Sequence, residues 1–478
     1  MRAPKPKKAR RGTAETIFAR LRPRVLLEAQ GSGEVVARFE GQSVSFGMFS
    51  TGTARFVHDL RNGVSLESVA SGKKDNKESA LLLRRLAIAG VLEYAIGAQG
   101  EDLVVIEPQI ADYWPQKADI KASDTIVLSR FAYLRRRGDD FVLESPLAGA
   151  LFRLRDAKIA AALAALCLPQ KFSALSKREG SGTLVLLGLL LECGILFKVD
   201  AAEKRPLRLV EGDSNLVFWD FHDLLFHSRS TEGRHANPAG GVYPYQGLLP
   251  PLPAVRPSWP GKKIDLRNPS APRPIAKIFR ERHSIRSFDD AKPITLAELS
   301  EFLDGAARNL SGPTAETGID DGGHVARPYP SAGASHELEL YLAVNTCEGL
   351  ERGFYHYDAC AHALVPIEVA APALDATIAG AQSAMGAPMR PQIVITIAAR
   401  FGRVSWKYSA LAYSLILKDV GLLTQTLCLM ASDMGLGGCA IGLSNIDLFE
   451  KMTGVPFCVE GPVGQFALGR PATQAAHG

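Results

Sequence analysis

Several things are missing from this chain, and each absence removes a class of function. The most apolar run, Leu184-Val-Leu-Leu-Gly-Leu-Leu-Leu191, is cut by Glu192. That is too short for a bilayer span, which takes about 20 residues, so no membrane association is expected. Cysteine is sparse: seven residues, at 167, 193, 347, 360, 428, 439 and 458, an odd number without C-x-x-C spacing. Most lie in apolar stretches where a reduced thiol acts as a small hydrophobe, which argues against a disulfide framework or structural zinc. The ten histidines form no H-E-x-x-H or comparable pattern, so no metal is expected. A dinucleotide-binding fold is not evident either. The first residues lack the apolar segment of a secretory signal, and a cytoplasmic protein is expected.

What remains is an ordinary globular composition. The chain has 478 residues, 46% apolar and 22% charged, enough for two or three domains. Much of the net charge of +5 lies in Met1-Arg-Ala-Pro-Lys-Pro-Lys-Lys-Ala-Arg-Arg-Gly12. Such a run reads as a solvated tail, or less often as a contact for an acidic partner. Residues 236 to 275 contain ten prolines, which block regular structure and make a stiff, surface-wrapping linker. The N-terminal half repeats itself: Leu81-Leu-Leu-Arg-Arg-Leu-Ala-Ile-Ala-Gly-Val-Leu92 aligns with Leu186-Leu-Gly-Leu-Leu-Leu-Glu-Cys-Gly-Ile-Leu196, Gly90 matching Gly194. In each copy a helical period ends at that glycine as at a C-cap and passes into a strand, over 91 to 94 and 195 to 199. Helical stretches over 46 to 60 and 158 to 167 precede them. Helix, helix, strand in units of about a hundred residues suggests two winged-helix-like domains. Neither shows a recognition helix rich in Arg, Asn and Gln, so docking of a peptide or partner is expected over nucleic acid, with a purely structural role as the alternative. The expected divisions are a basic tail 1–20, winged-helix-like domains 21–100 and 101–205, an aromatic segment and linker 206–275, and a catalytic domain 276–478.

The last region reads as α+β. Residues 337 to 345 alternate like a half-buried strand, 391 to 399 form a buried strand, and 353 to 357 with 363 to 367 suggest a hairpin. Tyr408 to Met434 reads as a long helix, apolar on nearly every side and so expected in the core or in a dimer interface. Arg282 and Arg286 in Glu281-Arg-His-Ser-Ile-Arg286 are four apart. On a helix they would share a face and could fork onto one phosphate. The glycine-bearing loops Tyr329-Pro-Ser-Ala-Gly333 and Gly435-Leu-Gly-Gly438 would let backbone N–H groups approach a planar ring. A phosphate clamp beside such loops suggests FMN.

The joint order of these segments resembles the nitroreductase-like flavoproteins, and within them the SagB type, azoline dehydrogenases that oxidise thiazolines and oxazolines in ribosomally made peptides. The resemblance covers roughly residues 210 to 473. It rests on Arg282-His-Ser-Ile-Arg286, Arg327-Pro-Tyr-Pro-Ser-Ala-Gly333 running into Leu338-Glu-Leu-Tyr341, Gly353-Phe-Tyr-His-Tyr-Asp358, Lys407-Tyr408, Gly435-Leu-Gly-Gly438 and Gly469-Arg470. The upstream stretch Phe218-Trp-Asp-Phe-His-Asp-Leu-Leu-Phe-His-Ser-Arg-Ser230 also resembles that subgroup. The loop departs from many relatives after Gly333, continuing Ala-Ser-His336.

The resemblance implies a nitroreductase-like FMN-binding fold, with an antiparallel or mixed sheet and long buried helices. It also implies a homodimer with flavins at the subunit boundary. Lys407 and Tyr408 match the catalytic Lys-Tyr pair, one as base and the other as orienting donor, in an order left open. A Tyr408 at a helix start beside an ammonium would be helped toward phenolate. Ser284 would bond the ribityl chain or phosphate, and His283 would contribute backbone. Pro330, Ser331, Ala332 and Gly333 would lie along the isoalloxazine, with Leu436, Gly437 and Gly438 at its other side. Arg470 would complete the phosphate charge. The implied partners are a heterocyclised precursor peptide and a cyclodehydratase complex, with molecular oxygen as acceptor. The rivals are an NAD(P)H-dependent nitroreductase or quinone reductase, and a winged-helix binding protein with a flavin sensor domain.

Overall fold

The computed structural model describes residues 16–39, 42–70, 74–98, 101–200, 203–237, 240–256, 258, 260–266, 271, 273–312 and 322–472. The basic tail therefore lies mostly outside them. The chain divides into two compact units, Met1–Leu225 with Gly233–Ala236, and Phe226–Glu232 with Asn237–Gly478.

In the first unit the repeat is longer than its sequence trace. Copy one runs helix Thr51–Asp59, strand Val64–Ser65, helices Leu66–Ala70 and Lys74–Ile88, then strand Leu92–Ala98. Copy two follows the same order: Ala157–Ala165, Gln170–Lys171, Phe172–Arg178, Ser181–Glu192 and Leu196–Val199. The helix expected from residue 46 starts at Thr51, because Gln42–Met48 pairs as a strand with Glu34–Phe39. Both matched glycines have φ of +69°, and both helices end alike. Gly90 N–H donates to Ala87 O and Val91 N–H to Leu86 O, as Gly194 does to Leu191 and Ile195 to Leu190. This is the Schellman stop, which needs a left-handed residue. Leu92–Ala98 pairs with Glu101–Pro108 inside one seven-stranded sheet that also holds Ala150–Leu154, Asp140–Glu144 and Tyr133–Arg137. The division expected between residues 100 and 101 thus falls inside a sheet, and the copies share one core containing Leu82, Leu83, Leu86, Leu186, Leu187 and Leu190.

The second unit is built on a six-stranded antiparallel sheet, in the order Ala363–Ile367, Gly353–Asp358, Leu338–Val344, Ile393–Arg400, Glu460–Gly469, Gly437–Ile441. The expected hairpin and both expected strands are present. Alternation puts Tyr341, Ala343, Val394 and Ala467 on one face, against Leu374 and Ile378 of helix Ala371–Met385. Phe466 points the other way and stacks on Phe302 of helix Leu296–Ala307 at 6.3 Å. That helix opens with a capping box between Thr295 and Glu298.

The long helix begins at Ala412, four residues later than expected, and runs to Asp433. Its buried positions, Ala412, Tyr413, Ile416, Asp419, Leu423, Leu427 and Ala431, form a single stripe. Leu422 on it, and Leu411 just before it, are 40% and 51% exposed, so within one chain the helix is not covered on every side. Among the described residues it alone is long and apolar enough to cross a membrane by length and composition. Its buried stripe nonetheless carries an aspartate bonded to a loop, as in a domain helix.

The glycine stops give a paired test. Around Gly90 and Gly380 an added Cβ would meet nothing within 4 Å, but only Gly90 has positive φ. Gly90→Ala should therefore cost about 1–2 kcal/mol from backbone strain alone. Gly380→Ala, inside Ala371–Met385, should stabilise by roughly 0.5–1 kcal/mol. Denaturant midpoints of the two variants should move in opposite directions; a shared sign would reject the Schellman assignment.

Candidate active site

The site residues fall into two clusters. The first begins where helix Pro274–Glu281 ends: Arg282 is already outside it, with ψ of 123°. The chain then leaves the helix and is threaded against strand ends. Ile285 N–H donates to Gly438 O at 3.0 Å, Asp289 N–H to Arg470 O at 2.9 Å, and Ala472 N–H to Ser287 O at 3.1 Å. Arg282 and Arg286 consequently do not share a helix face; over four residues, extended chain separates Cα atoms by up to about 13 Å. Among the described residues neither guanidinium pairs with a carboxylate, and Arg282 reaches Cys428 of the long helix. His283 turns its Nδ1 back to Glu281 O at 2.9 Å and is exposed, while Ser284 is half-buried.

Arg470 is already engaged. Its Nη2 lies 2.7 and 2.6 Å from the two oxygens of Glu298, and its Nε donates to Lys292 O. The glycines beside it serve packing. A Cβ on Gly437 would meet Ile285 Cγ2 at 2.8 Å, and one on Gly438 would meet Phe466 Cζ at 2.5 Å. Side chains thus occupy the Cβ side of both glycines. Gly435, at φ +67°, ends the long helix, and Leu436 N–H bonds Ala431 O with its side chain buried.

The second cluster joins the loop before strand Leu338–Val344 to the segment between helices Phe401–Ser405 and Ala412–Asp433. Gly333, Ala334 and His336 all have positive φ, at 57°, 53° and 43°, a conformation costly for the two that carry Cβ. Polar groups hold the loop. Ala332 N–H donates to Asp419 Oδ2 at 2.8 Å, His336 N–H to Ser331 Oγ at 2.9 Å, and Ser331 Oγ–H to Glu337 Oε2 at 3.3 Å. Arg403 Nε donates to Ser335 O. Lys407 and Tyr408 arrive at this loop from far along the chain. Lys407 Nζ is 3.5 Å from Gly333 O, and a Cβ on Gly333 would strike Tyr408 Oη at 2.5 Å and Lys407 Nζ at 2.9 Å. Glycine is needed at 333 for both its dihedrals and its lack of bulk. Pro330 is exposed beside it.

Tyr408 does not start the long helix. Its N–H bonds Val404 O at 2.9 Å, behind the short helix, so the positive helix end expected to favour phenolate is not there.

Reading the sequence missed the two carboxyl groups beneath the loop. Glu337 and Asp419 are 0% and 3% exposed. Burial first, and then the charge of Asp419, push the Glu337 carboxyl up to about 7, while burial with Arg327 and Arg403 pushes His336 down to about 4. Asp419 left one signal, a lone acid in the apolar stripe of a helix.

The clusters meet the long helix at different faces. Asp419 belongs to the second and Cys428 touches the first. Nine residues make about two and a half turns and about 13 Å of helix, so the clusters project on opposite sides.

A pH-dependent stability follows from Glu337. Its folded-state value lies above the ordinary 4.5, so its contribution is fully present below pH 4.5 and is lost as pH rises through about 7. Glu337→Gln, mimicking the protonated acid, should match the parent near pH 4 and exceed it at pH 8 by on the order of 3 kcal/mol. The opposing titration of His336 is common to both proteins and cancels in the difference. Denaturation at the two pH values checks this; a difference independent of pH would refute the raised carboxyl.

Comparison with known proteins matches the two parts of the chain separately. Residues 126–236 match the cyanobactin oxidase ThcOx family, and residues 279–470 the nitroreductase family. A nitroreductase homologue of Methanocaldococcus jannaschii is 33% identical over 173 residues, covering 35% of this chain and 78% of that protein. Among solved structures, the Escherichia coli microcin synthetase McbBCD complex with truncated pro-MccB17 aligns at 20% identity and TM-score 0.40, over 57% of this chain and 100% of the other. A nitroreductase homologue from Desulfovibrio desulfuricans, in complex with FMN, aligns at 12% identity and TM-score 0.27, over 44% and 92%. Both structural likenesses are too distant to bear on function. The sequence matches are not: with its second unit carrying the nitroreductase segment, and 33% identity over 173 residues to a relative of which 78% is covered, the chain belongs to the nitroreductase family.

Proposed function

We propose that this protein is a SagB-type, FMN-dependent azoline dehydrogenase. It oxidises thiazolines and oxazolines of a heterocyclised precursor peptide to thiazoles and oxazoles, beside a cyclodehydratase complex in the cytoplasm. The observation that carries the reading is the meeting of Lys407 and Tyr408 with Gly333. The cyanobactin oxidase match ahead of the nitroreductase segment agrees with it. The family makes the chain an oxidoreductase; substrate and cofactor are our inference.

Aromatising an azoline removes a proton from the ring carbon derived from the Cα of Cys, Ser or Thr and a hydride from its neighbour. Bound FMN supplies the hydride acceptor, with molecular oxygen taking the electrons on. The residues fit such a cofactor in their donor chemistry, since Arg282 and Arg286 offer guanidiniums that, among the described residues, have no carboxylate partner and could take a phosphate. Lys407 and Tyr408 share the proton step, one taking the proton and the other orienting it; both polar ends sit at the same glycine. Pro330 to Gly333 shape the wall against which the ring carbon is presented. The clusters project on opposite sides of the long helix, so we infer that a working site combines the arginines of one copy with the loop of another, in a homodimer. Exposed Leu422 on the long helix, Leu411 just before it, and Ile275 and Phe279 on the neighbouring helix Pro274–Glu281 supply apolar surface for that contact. The repeated elements of the first unit are proposed as winged-helix-like domains that dock the peptide or its cyclodehydratase.

Two experiments test the reading. Purified protein should be yellow and release FMN, and Arg282→Ala with Arg286→Ala should weaken FMN binding at least about a hundredfold, each charge-assisted bond being worth about 1.5–3 kcal/mol. Full flavin occupancy in the double variant would remove the clamp. Lys407→Ala and Tyr408→Phe should keep the flavin spectrum, yet slow azoline oxidation by about 10²–10⁴-fold, read by mass spectrometry as persistence of two hydrogens per ring. Parental rates in both variants, or rapid flavin reduction by NAD(P)H without peptide, would favour a general nitroreductase.

A further inference from the structure

The aromatic stretch ending in Phe226-His-Ser-Arg229 has no role in the chemistry above, yet its histidine occupies a telling place. His227 is 0% exposed. Its Nδ1 lies 3.1 Å from Tyr413 Oη, its ring centroid is 4.8 Å from that of Phe401, and Phe457 stacks at 6.4 Å with 19° between planes. Phe226 adds an edge-on contact to Tyr413 at 5.8 Å. Phe401 opens the short helix Phe401–Ser405, and Tyr413 lies in the first turn of the long one. A single imidazole therefore touches the elements on both sides of the connection that carries Lys407 and Tyr408. The space opposite is reserved for it: a Cβ on Gly461 would lie 3.2 Å from His227 Nε2. The chain around His227 is fixed as well, by Thr231 Oγ1–H to His227 O at 2.9 Å, Glu232 N–H to Ser444 O at 2.8 Å and Ile446 N–H to Glu232 O at 3.0 Å.

Apart from the contact of the two side chains with Gly333, the connection's backbone is held, among the described residues, by local bonds. Lys407 and Tyr408 N–H both bond Val404 O, and Ala412 N–H bonds Ser409 O; these are turn bonds. Trp406 and Leu411 are 53% and 51% exposed. Segments with few buried contacts open locally unless their ends are anchored. We propose that His227 is a positioning residue that fixes Lys407 and Tyr408 by clamping the helices on either side of them. The proposal rests on the reading of that pair as the proton-transfer residues, but the anchoring can be measured without it.

The test uses full-length protein with His227→Leu, His227→Asn and Tyr413→Phe. Asparagine keeps a hydrogen-bonding atom near the position of Nδ1, and Tyr413→Phe deletes one oxygen, so it remains informative if His227→Leu does not fold. Hydrogen exchange at the Lys407 and Tyr408 amides should accelerate at least about tenfold in His227→Leu and Tyr413→Phe, with His227→Asn restoring much of the protection. Strands Ile393–Arg400 and Glu460–Gly469 should exchange as in the parent. Azoline oxidation should lose about 10- to 100-fold in kcat with KM for the peptide unchanged, a loss of the size that a misplacement of about 1 Å causes. That loss should vanish in a Lys407→Ala background, since residues acting through one another are not additive. Unaltered exchange at 407 and 408, or faster exchange throughout the domain, would overturn the proposal. Local acceleration in a protein whose parent oxidises no azoline would uphold the clamp and reject the assigned reaction instead.

Discussion

The second unit depends on one fastening, the bond from Ala332 N–H to Asp419 of the long helix. The loop it holds contains three left-handed residues, two of them not glycine, and that backbone would relax if left in solvent. Ser331 contributes a second tie, accepting from His336 N–H and donating to Glu337. Both carboxyl groups are buried and would be expensive there without hydrogen bonds; the loop supplies one to each, an N–H to Asp419 and a hydroxyl to Glu337. Strain and burial thus offset each other. The register of the long helix is set by the same bond, because Asp419 must sit in the buried stripe to reach Ala332. Lys407 and Tyr408 meet Gly333 only while the loop keeps this shape.

Elements whose signal is local were legible in the sequence. Strands Leu338–Val344 and Ile393–Arg400, and the hairpin at Gly353–Asp358, appear within a residue or two of their expected positions, since period-two alternation and short apolar runs need no tertiary information. The stops at Gly90 and Gly194 were readable for the same reason, a helical period meeting the one residue that tolerates positive φ. The failures share a cause in tertiary contacts. Spacing of four made Arg282 and Arg286 look helical, but the helix starts at Pro274 and ends before them, and pairing with Gly438 then extends the chain. Residues 408 to 411 continue an apolar pattern, so the break before Ala412 was hidden. The glycines at 437 and 438 announced a close approach, and on their Cβ side they meet Ile285 and Phe466. Glu337 sits next to an alternating strand, where an acid reads as solvent-facing.

The helical phase of two residues carries the argument for a composite site. Had Asp419 and Cys428 been seven or eight apart, the arginine segment and the loop would lie along one face of the helix, and one copy could hold a phosphate and a ring together. Nine apart, they stand half a turn out of phase. Neither segment can swing round to join the other, because the arginine segment is bonded to strand ends at Gly438 and Arg470 and the loop is bonded to Asp419. In this chain the long helix separates the arginine segment from the loop. A two-fold contact would repeat the same patch on both copies, bringing the arginine segment of each toward the loop of the other and covering the apolar residues Leu411 and Leu422 that one copy leaves open. Apolar exposure and the opposed placement of the two segments are thus two consequences of one helix, and the symmetric association proposed above would account for both.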